Sequence, residues 1–132
     1  MKHIAKFIIV LSLCLLSQLS IADIRIASWN IERLGHGGHK SFPALAKIAS
    51  RFDLIAVQEV MTAQGIYRLQ AYLEDYTGEV WGVRYSDTLG RSTYREKYAF
   101  LWRESKINFL GRELTYLDIT DGVRARAVFR KI

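Results

Sequence analysis

The sequence predicts an α/β domain: a mixed β-sheet with helices on one face. Three observations carry this. Leu54, Ile55, Ala56 and Val57 form an apolar run bounded by Asp53 and by Gln58-Glu59, and a short run of that kind reads as a strand buried on both faces. Apolar residues recur at helical spacing on either side, Leu45, Ile48, Ala49 and Phe52 before the run and Ile66, Leu69 and Leu73 after it. Beyond Asp75 the helical period stops, and apolar strand-like segments follow, punctuated by Gly78, Gly90, Gly111 and Gly122. Strand, helix, strand, helix and then a series of strands is the pattern of a mixed sheet covered on one side.

The first 22 residues stand apart. Lys2 and Lys6 give a positive start, and residues 7–16 are an apolar core of about ten positions, the length of a signal-peptide core. Ser20 and Ala22 place small residues where a signal peptidase reads, so cleavage after Ala22 is expected. Ser17, Gln18 and Ser20 interrupt the apolar run and argue against a retained membrane span. Leu13, ahead of Cys14, argues against a lipoprotein anchor. The expectation is a secreted or periplasmic protein with no stable membrane association after cleavage, its single domain lying in residues 23–132. Cys14 is the one cysteine of the chain, so the exported domain would be held by its core or by a metal rather than by disulfides. Of the 19 Lys and Arg residues two fall in the signal, leaving 17 against 13 Asp and Glu. That balance suits a polyanionic partner without demanding one.

Residues 23–30 alternate in character and read as a strand that ends on Asn30. Residues 34–40 are a glycine-rich loop. His39 separates Gly38 from Lys40, so the loop fails as a P-loop. His36 and His39 alone are weak grounds for a transition-metal site, and an ordinary mobile loop is the favoured reading. Ser41 caps the first helix, with Pro43 tolerated in its first turn, and Thr62 caps the second. Strands are expected at residues 80–85, 98–102, 107–110 and 127–132. The sequence contains no internal repeat or low-complexity segment.

A carboxylate is costly inside a core. Glu59 is therefore placed at the carboxyl end of its strand, where open α/β sheets set their ligands and where a carboxylate can hold a hard divalent cation. A solvated strand-end glutamate fits the same residues. Arg91, Arg95, Glu96 and Lys97 form a charged turn leading into an apolar strand. On their own they read as a solvated turn, with Tyr94 packed against the sheet.

Three stretches, in order, resemble the deoxyribonuclease I-like branch of the endonuclease/exonuclease/phosphatase superfamily: Ile-Ala-Ser-Trp-Asn-Ile at 26–31, Asp-Leu-Ile-Ala-Val-Gln-Glu-Val at 53–60, and Gly-Arg-Ser-Thr-Tyr-Arg-Glu-Lys-Tyr-Ala-Phe at 90–100. The resemblance spans nearly all of residues 23–132. It implies the first half of a four-layer α/β sandwich and a metal-dependent phosphodiesterase or endonuclease acting on DNA or RNA. It implies that Glu59 binds Mg²⁺, or another divalent cation such as Ca²⁺ or Mn²⁺, and that Asn30 orients the phosphate or the water shell of the metal. Arg91, Tyr94 and Arg124 would contact the nucleic-acid backbone, and Glu96 would orient a catalytic histidine.

The chain also departs from that family, whose members are much longer and carry catalytic histidines in their second half. His3, His36 and His39 all precede the second motif. The expectation is a truncated N-terminal half, inactive alone, with an exposed apolar sheet face that would take the missing C-terminal half or self-associate. Two alternatives stand beside it: a non-catalytic exported module that binds nucleic acid or another polyanion, and, within the family, a phosphoesterase acting on phospholipid or inositol phosphate.

Overall fold

The computed structural model describes residues 23–90, 93–118 and 122–131, and from residue 112 onward it describes the backbone alone. The expected signal segment and Arg91 lie outside the described residues. The elements run β1 (Ile26–Leu34), α1 (Phe42–Ala49), β2 (Leu54–Val60), α2 (Ala63–Thr77), β3 (Trp81–Tyr85), β4 (Lys97–Arg103), β5 (Ile107–Asp118) and β6 (Gly122–Lys131). Four strands form one sheet in the order β1-β2-β4-β3. β1 and β2 are parallel and joined through α1, as a parallel pair requires a crossover. β4 runs antiparallel to both β2 and β3. The sheet is mixed, as expected, but β5 and β6 pair with each other in a separate two-stranded sheet. Both are longer than the sequence pattern indicates. Gly111, in the left-handed region at φ 70°, bends β5 where its register with β6 shifts between Phe109 and Glu113.

Both helices pack on one face of the sheet. Ile66, Leu69 and Leu73 of α2 are fully buried and share one core with Ile55, Val57, Leu101 and Trp81. Thr62 caps α2, its hydroxyl accepting from the N–H of Gly65 at 3.1 Å. Gly78 closes the helix in the left-handed conformation, donating to the Glu74 carbonyl at 2.8 Å. In α1 the buried positions are Phe42, Ala46 and Ala49, with Leu45 partly buried; Phe52, beyond the end of the helix, is partly buried too. Ile48, expected to face the sheet, is 45% exposed. The helix is only eight residues long, and it turns Phe42 inward to stack on Tyr72 of α2 at 5.8 Å.

The other face of the sheet is half open, which corrects the expectation of a β2 buried on both sides. Ile55 and Val57 are buried against the helices, whereas Leu54 and Ala56 are only partly covered. Ile26, beside Leu54 in the register, is 67% exposed. Trp102 closes part of this face: its ring lies where a Cβ on Gly82 would stand, and it meets Phe109 of β5 at 5.7 Å.

At the amino end of β2, Asp53 is completely buried and holds three elements together. It accepts from the Arg25 backbone N–H at 2.9 Å and from Lys106 Nζ at 2.9 Å, and Arg103 Nε lies 3.3 Å from it. Arg103 in turn donates to the Ser50 carbonyl at 2.8 Å, pairs with Glu79, and lies over the Trp81 ring at 4.7 Å. Burial would raise the Asp53 pKa; the Arg25 N–H, the Lys106 ammonium and the Arg25 charge outweigh it and hold the carboxyl below its ordinary value.

Candidate active site

The site lies at the carboxyl ends of β1 and β2, and both strands bulge there. Between Val57 and Val60 β2 advances three residues while β4 advances two, from Ala99 to Lys97. The extra residue takes its conformation from Glu59, whose φ is 57°. In a regular strand Glu59 would alternate onto the helix side with Val57. The bulge turns it out and returns Val60, fully buried, to the core. β1 bulges more: from Asn30 to Leu34 it spans four steps against two on β2, with Glu32 at φ 51° and Arg33 at φ 56°. A non-glycine residue in the left-handed region costs roughly 1–2 kcal/mol. Three at one end of a sheet mark stored strain of the kind that clusters at functional sites. The two bulged ends are tied by the Met61 N–H donating to the Leu34 carbonyl at 2.9 Å.

This backbone brings the expected residues together. Asn30 Nδ2 donates to Glu59 Oε1 at 2.7 Å, and Asn30 Oδ1 accepts from the Glu32 N–H at 2.9 Å, which fixes which end of the amide faces the carboxylate. Beside them Gln58 Nε2 donates to Ser28 Oγ at 3.0 Å. The Tyr94 hydroxyl and the Arg33 backbone N–H also lie near enough to Glu59 to favour its ionised form. The Asn30 hydrogen bond is the largest influence on the Glu59 carboxyl; partial burial opposes it, and Tyr94 and Arg33 add to it, so that the pKa is lowered. Tyr94 shifts the other way: burial of its hydroxyl, the bond to Glu59 and the negative charges of Glu59 and Glu96 raise its pKa, with Arg33 opposing them. The Arg33 guanidinium lies 6.0 Å from the centre of the Tyr94 ring.

Glu96 is thus an electrostatic neighbour of Tyr94. Its backbone is held by reciprocal bonds with Leu89, at 2.7 and 2.9 Å. Arg91 lies outside the described residues. Arg124 is placed by its backbone alone, opposite Tyr116 in the β5–β6 hairpin, and its side chain lies outside the description. Arg33 is the residue that sequence reasoning missed. Its one signal is position: a basic residue between the strand-end Asn30 and Gly35.

The donor set bears on metal binding. Glu59 offers hard carboxylate oxygen atoms, the type that suits Mg²⁺, Mn²⁺ or Ca²⁺, while the Asn30 amide turns its Nδ2 to Glu59 and its oxygen to the Glu32 N–H. Among the described residues no three His, Cys, Asp or Glu side chains converge on a point. The residues present fit a hard cation as part of its shell, with water and a bound phosphate supplying the rest.

An α/β layer with a carboxylate–amide pair and a tyrosine hydroxyl at its sheet ends defines a class: α/β domains that gather polar ligands at the carboxyl edge. No protein-family model matches the chain. It is 56% identical over 112 residues to a deoxyribonuclease of Thioalkalivibrio sp. (strain K90mix), covering 85% of this chain and 31% of that protein. It is 30% identical over 119 residues to human deoxyribonuclease gamma, covering 85% of this chain and 39% of that one. Bovine deoxyribonuclease-1 is 29% identical over 107 residues, covering 77% of this chain and 38% of its own. These matches support the resemblance to the deoxyribonuclease I-like branch of the endonuclease/exonuclease/phosphatase superfamily. It spans between about a third and two fifths of the length of these relatives.

Proposed function

We propose that Asn30, Glu59 and Tyr94 form the phosphate-facing part of a metal-dependent DNA phosphodiesterase site, working fully in a protein of the relatives' length. The observation that carries the reading is the double bulge, which turns Glu59 out of the core and onto Asn30 at 2.7 Å. Glu59 would hold the divalent cation, whose chemistry is to polarise the scissile phosphate and offset its growing charge. Asn30 orients the carboxylate by donating to Oε1, and its own orientation is fixed by the Glu32 N–H. Tyr94, whose proton is held more tightly than usual, presents a hydroxyl that donates to an anion across neutral pH. Arg33, and Arg91 as the resemblance implies, supply positive charge for the backbone phosphates, where a guanidinium fork suits two oxygens at once. Glu96, beside Tyr94, would orient a histidine in a protein of the relatives' length, as the resemblance implies.

Nicking of supercoiled DNA tests this in a protein of the relatives' length that carries these residues. Mg²⁺-dependent nicking that Glu59→Gln slows by about 10²–10³-fold is expected, the scale of losing one preorganised electrostatic contact; an unchanged rate would contradict the proposal. Residues 23–132 by themselves are expected to bind DNA without turnover. A second reading is a polyanion-binding module, favoured by the lack, among the described residues, of three acidic, His or Cys side chains that converge to hold a cation. DNA affinity that ignores chelator and the Glu59 substitution, with no nicking at any length, would decide for it. We propose export as well: mass spectrometry of protein recovered from the periplasm or medium is expected to find Asp23 at the amino terminus, and Met1 there would exclude cleavage.

A further inference from the structure

Gln58 is a polar side chain at the strand ends to which the proposed site gives no task. It is the register partner of Asn30 across the parallel β1–β2 pair, and facing residues of neighbouring strands point to the same side of a sheet. The bulge carries Glu59 to that side too, onto Asn30 at 2.7 Å. Two amides and a carboxylate therefore meet where the open face of the sheet reaches its carboxyl edge. The Gln58 amide has a fixed sense. Its Nε2 donates to Ser28 Oγ at 3.0 Å and to the Ala56 carbonyl at 3.4 Å. A carbonyl can only accept, so the nitrogen is the end that faces the strand. Oε1 is the other end. Among the described residues Arg103 Nε alone is a buried side-chain atom without a partner, which leaves Gln58 Oε1 accessible to water. Asn30 is the converse case: its Nδ2 is spent on Glu59 and its oxygen on the Glu32 N–H. Of the two amides, Gln58 is the one with an oxygen to offer.

We propose that Gln58 is a positioning residue of the cation site: its Oε1 accepts from a water of the divalent cation held at Glu59, and Ser28 keeps that oxygen turned outward. The inference deepens the metal-dependent reading and rests on it. A small hard cation gives up water reluctantly and keeps several waters where carboxylates are few. Those waters donate, so they need acceptors beside them. The oxygen end of an amide accepts and the nitrogen end does not, so the bonds to Ser28 and the Ala56 carbonyl select the useful end. Hydrogen bonds one step out from the cation orient its shell in this way. A neutral oxygen also suits the place better than a second carboxylate, whose charge would repel the incoming phosphate. Glu59 supplies the charge, and Gln58 supplies direction to the shell around it.

The test reads cation binding and needs no hydrolysis. Mn²⁺ affinity of the full chain is measured from the EPR signal of the free ion, with a short duplex present and the duplex alone as background. Gln58→Leu is expected to weaken Mn²⁺ binding about 10–100-fold, the usual effect of removing an outer hydrogen bond of a metal site. Ser28→Ala, which leaves the amide in place but frees it to turn, is expected to weaken it by a smaller factor. Gln58→Glu, which keeps an acceptor oxygen there, is expected to restore it. Duplex affinity in chelator is expected to be the same in all three variants, which a merely structural role for Gln58 would not preserve. Native Mn²⁺ affinity in both Gln58→Leu and Ser28→Ala, with binding abolished by Glu59→Gln, would overturn the role of Gln58 and leave the proposed function standing. Native affinity in Glu59→Gln would remove both. In a second arm, the side-chain amide protons of Gln58 are followed by NMR as Mn²⁺ is added. Strong broadening is expected, and signals that stay sharp at saturating Mn²⁺ would overturn the proposal.

Discussion

Glu59 is a carboxylate kept charged by its neighbours on a backbone that costs energy to form. Asn30, Tyr94 and Arg33 all favour the ionised form, so its charge persists below the ordinary glutamate value of 4.5. Cation binding at Glu59 should therefore hold as pH falls to that value and be lost only below it, as the depressed pKa is crossed. Titration of the Glu59 side chain by NMR checks the sign. Asn30→Ala is expected to move its pKa back up and to weaken cation affinity about 10–100-fold, the usual effect of removing a residue that orients a ligand. Asp53 obeys the same sign with a structural result. Its carboxyl is depressed from 3.8 by the groups around it, so its contribution to stability is complete above that value and disappears as pH falls through the folded pKa. Asp53→Asn takes the charged partner from Lys106 and one of the two carboxylates from Arg103, which keeps Glu79, and is expected to cost about 3–5 kcal/mol, read from urea unfolding at neutral pH. Glu59 was legible in the sequence, because a charge after an apolar run has few places to go. The Asp53 cluster was not: Arg25 lies 28 residues from Asp53 and Lys106 lies 53, and only the closed fold brings them together.

At the scale of elements, α2 was the most legible piece. Its period places Ile66, Leu69 and Leu73 on one stripe, and all three are fully buried. Leu69→Ala is expected to cost about 2–5 kcal/mol, measured by thermal or urea unfolding. α1 was less legible because its eight residues give barely two turns of pattern, and the ring of Phe42, not Ile48, sets which side faces in. The bulges in β1 and β2 could not be read locally. Glu32, Arg33 and Glu59 are ordinary residues for a strand, and their left-handed conformations arise from how the two strand ends meet. The β5–β6 hairpin was read as strands of the main sheet because alternation reports extended backbone and not its partner.

At the scale of the molecule, the sheet has one face filled by helices and one face partly closed by Trp102 on Gly82. Gly82→Ala puts a methyl group 2.0 Å from the indole ring and is expected to displace it, with a loss of about 1–3 kcal/mol and a shift in tryptophan emission. The formal charge of +6 for the whole chain favours encounter with a polyanion, and makes that encounter sensitive to salt. The proposed function is narrower: Glu59, oriented by Asn30, would be where a divalent cation meets a DNA phosphate. Paramagnetic broadening by Mn²⁺, followed on the backbone amides of the full chain with a short duplex present, tests it most directly. The account predicts broadening centred on Asn30, Glu59 and Tyr94 that Glu59→Gln abolishes; broadening centred elsewhere, or surviving that substitution, would contradict it.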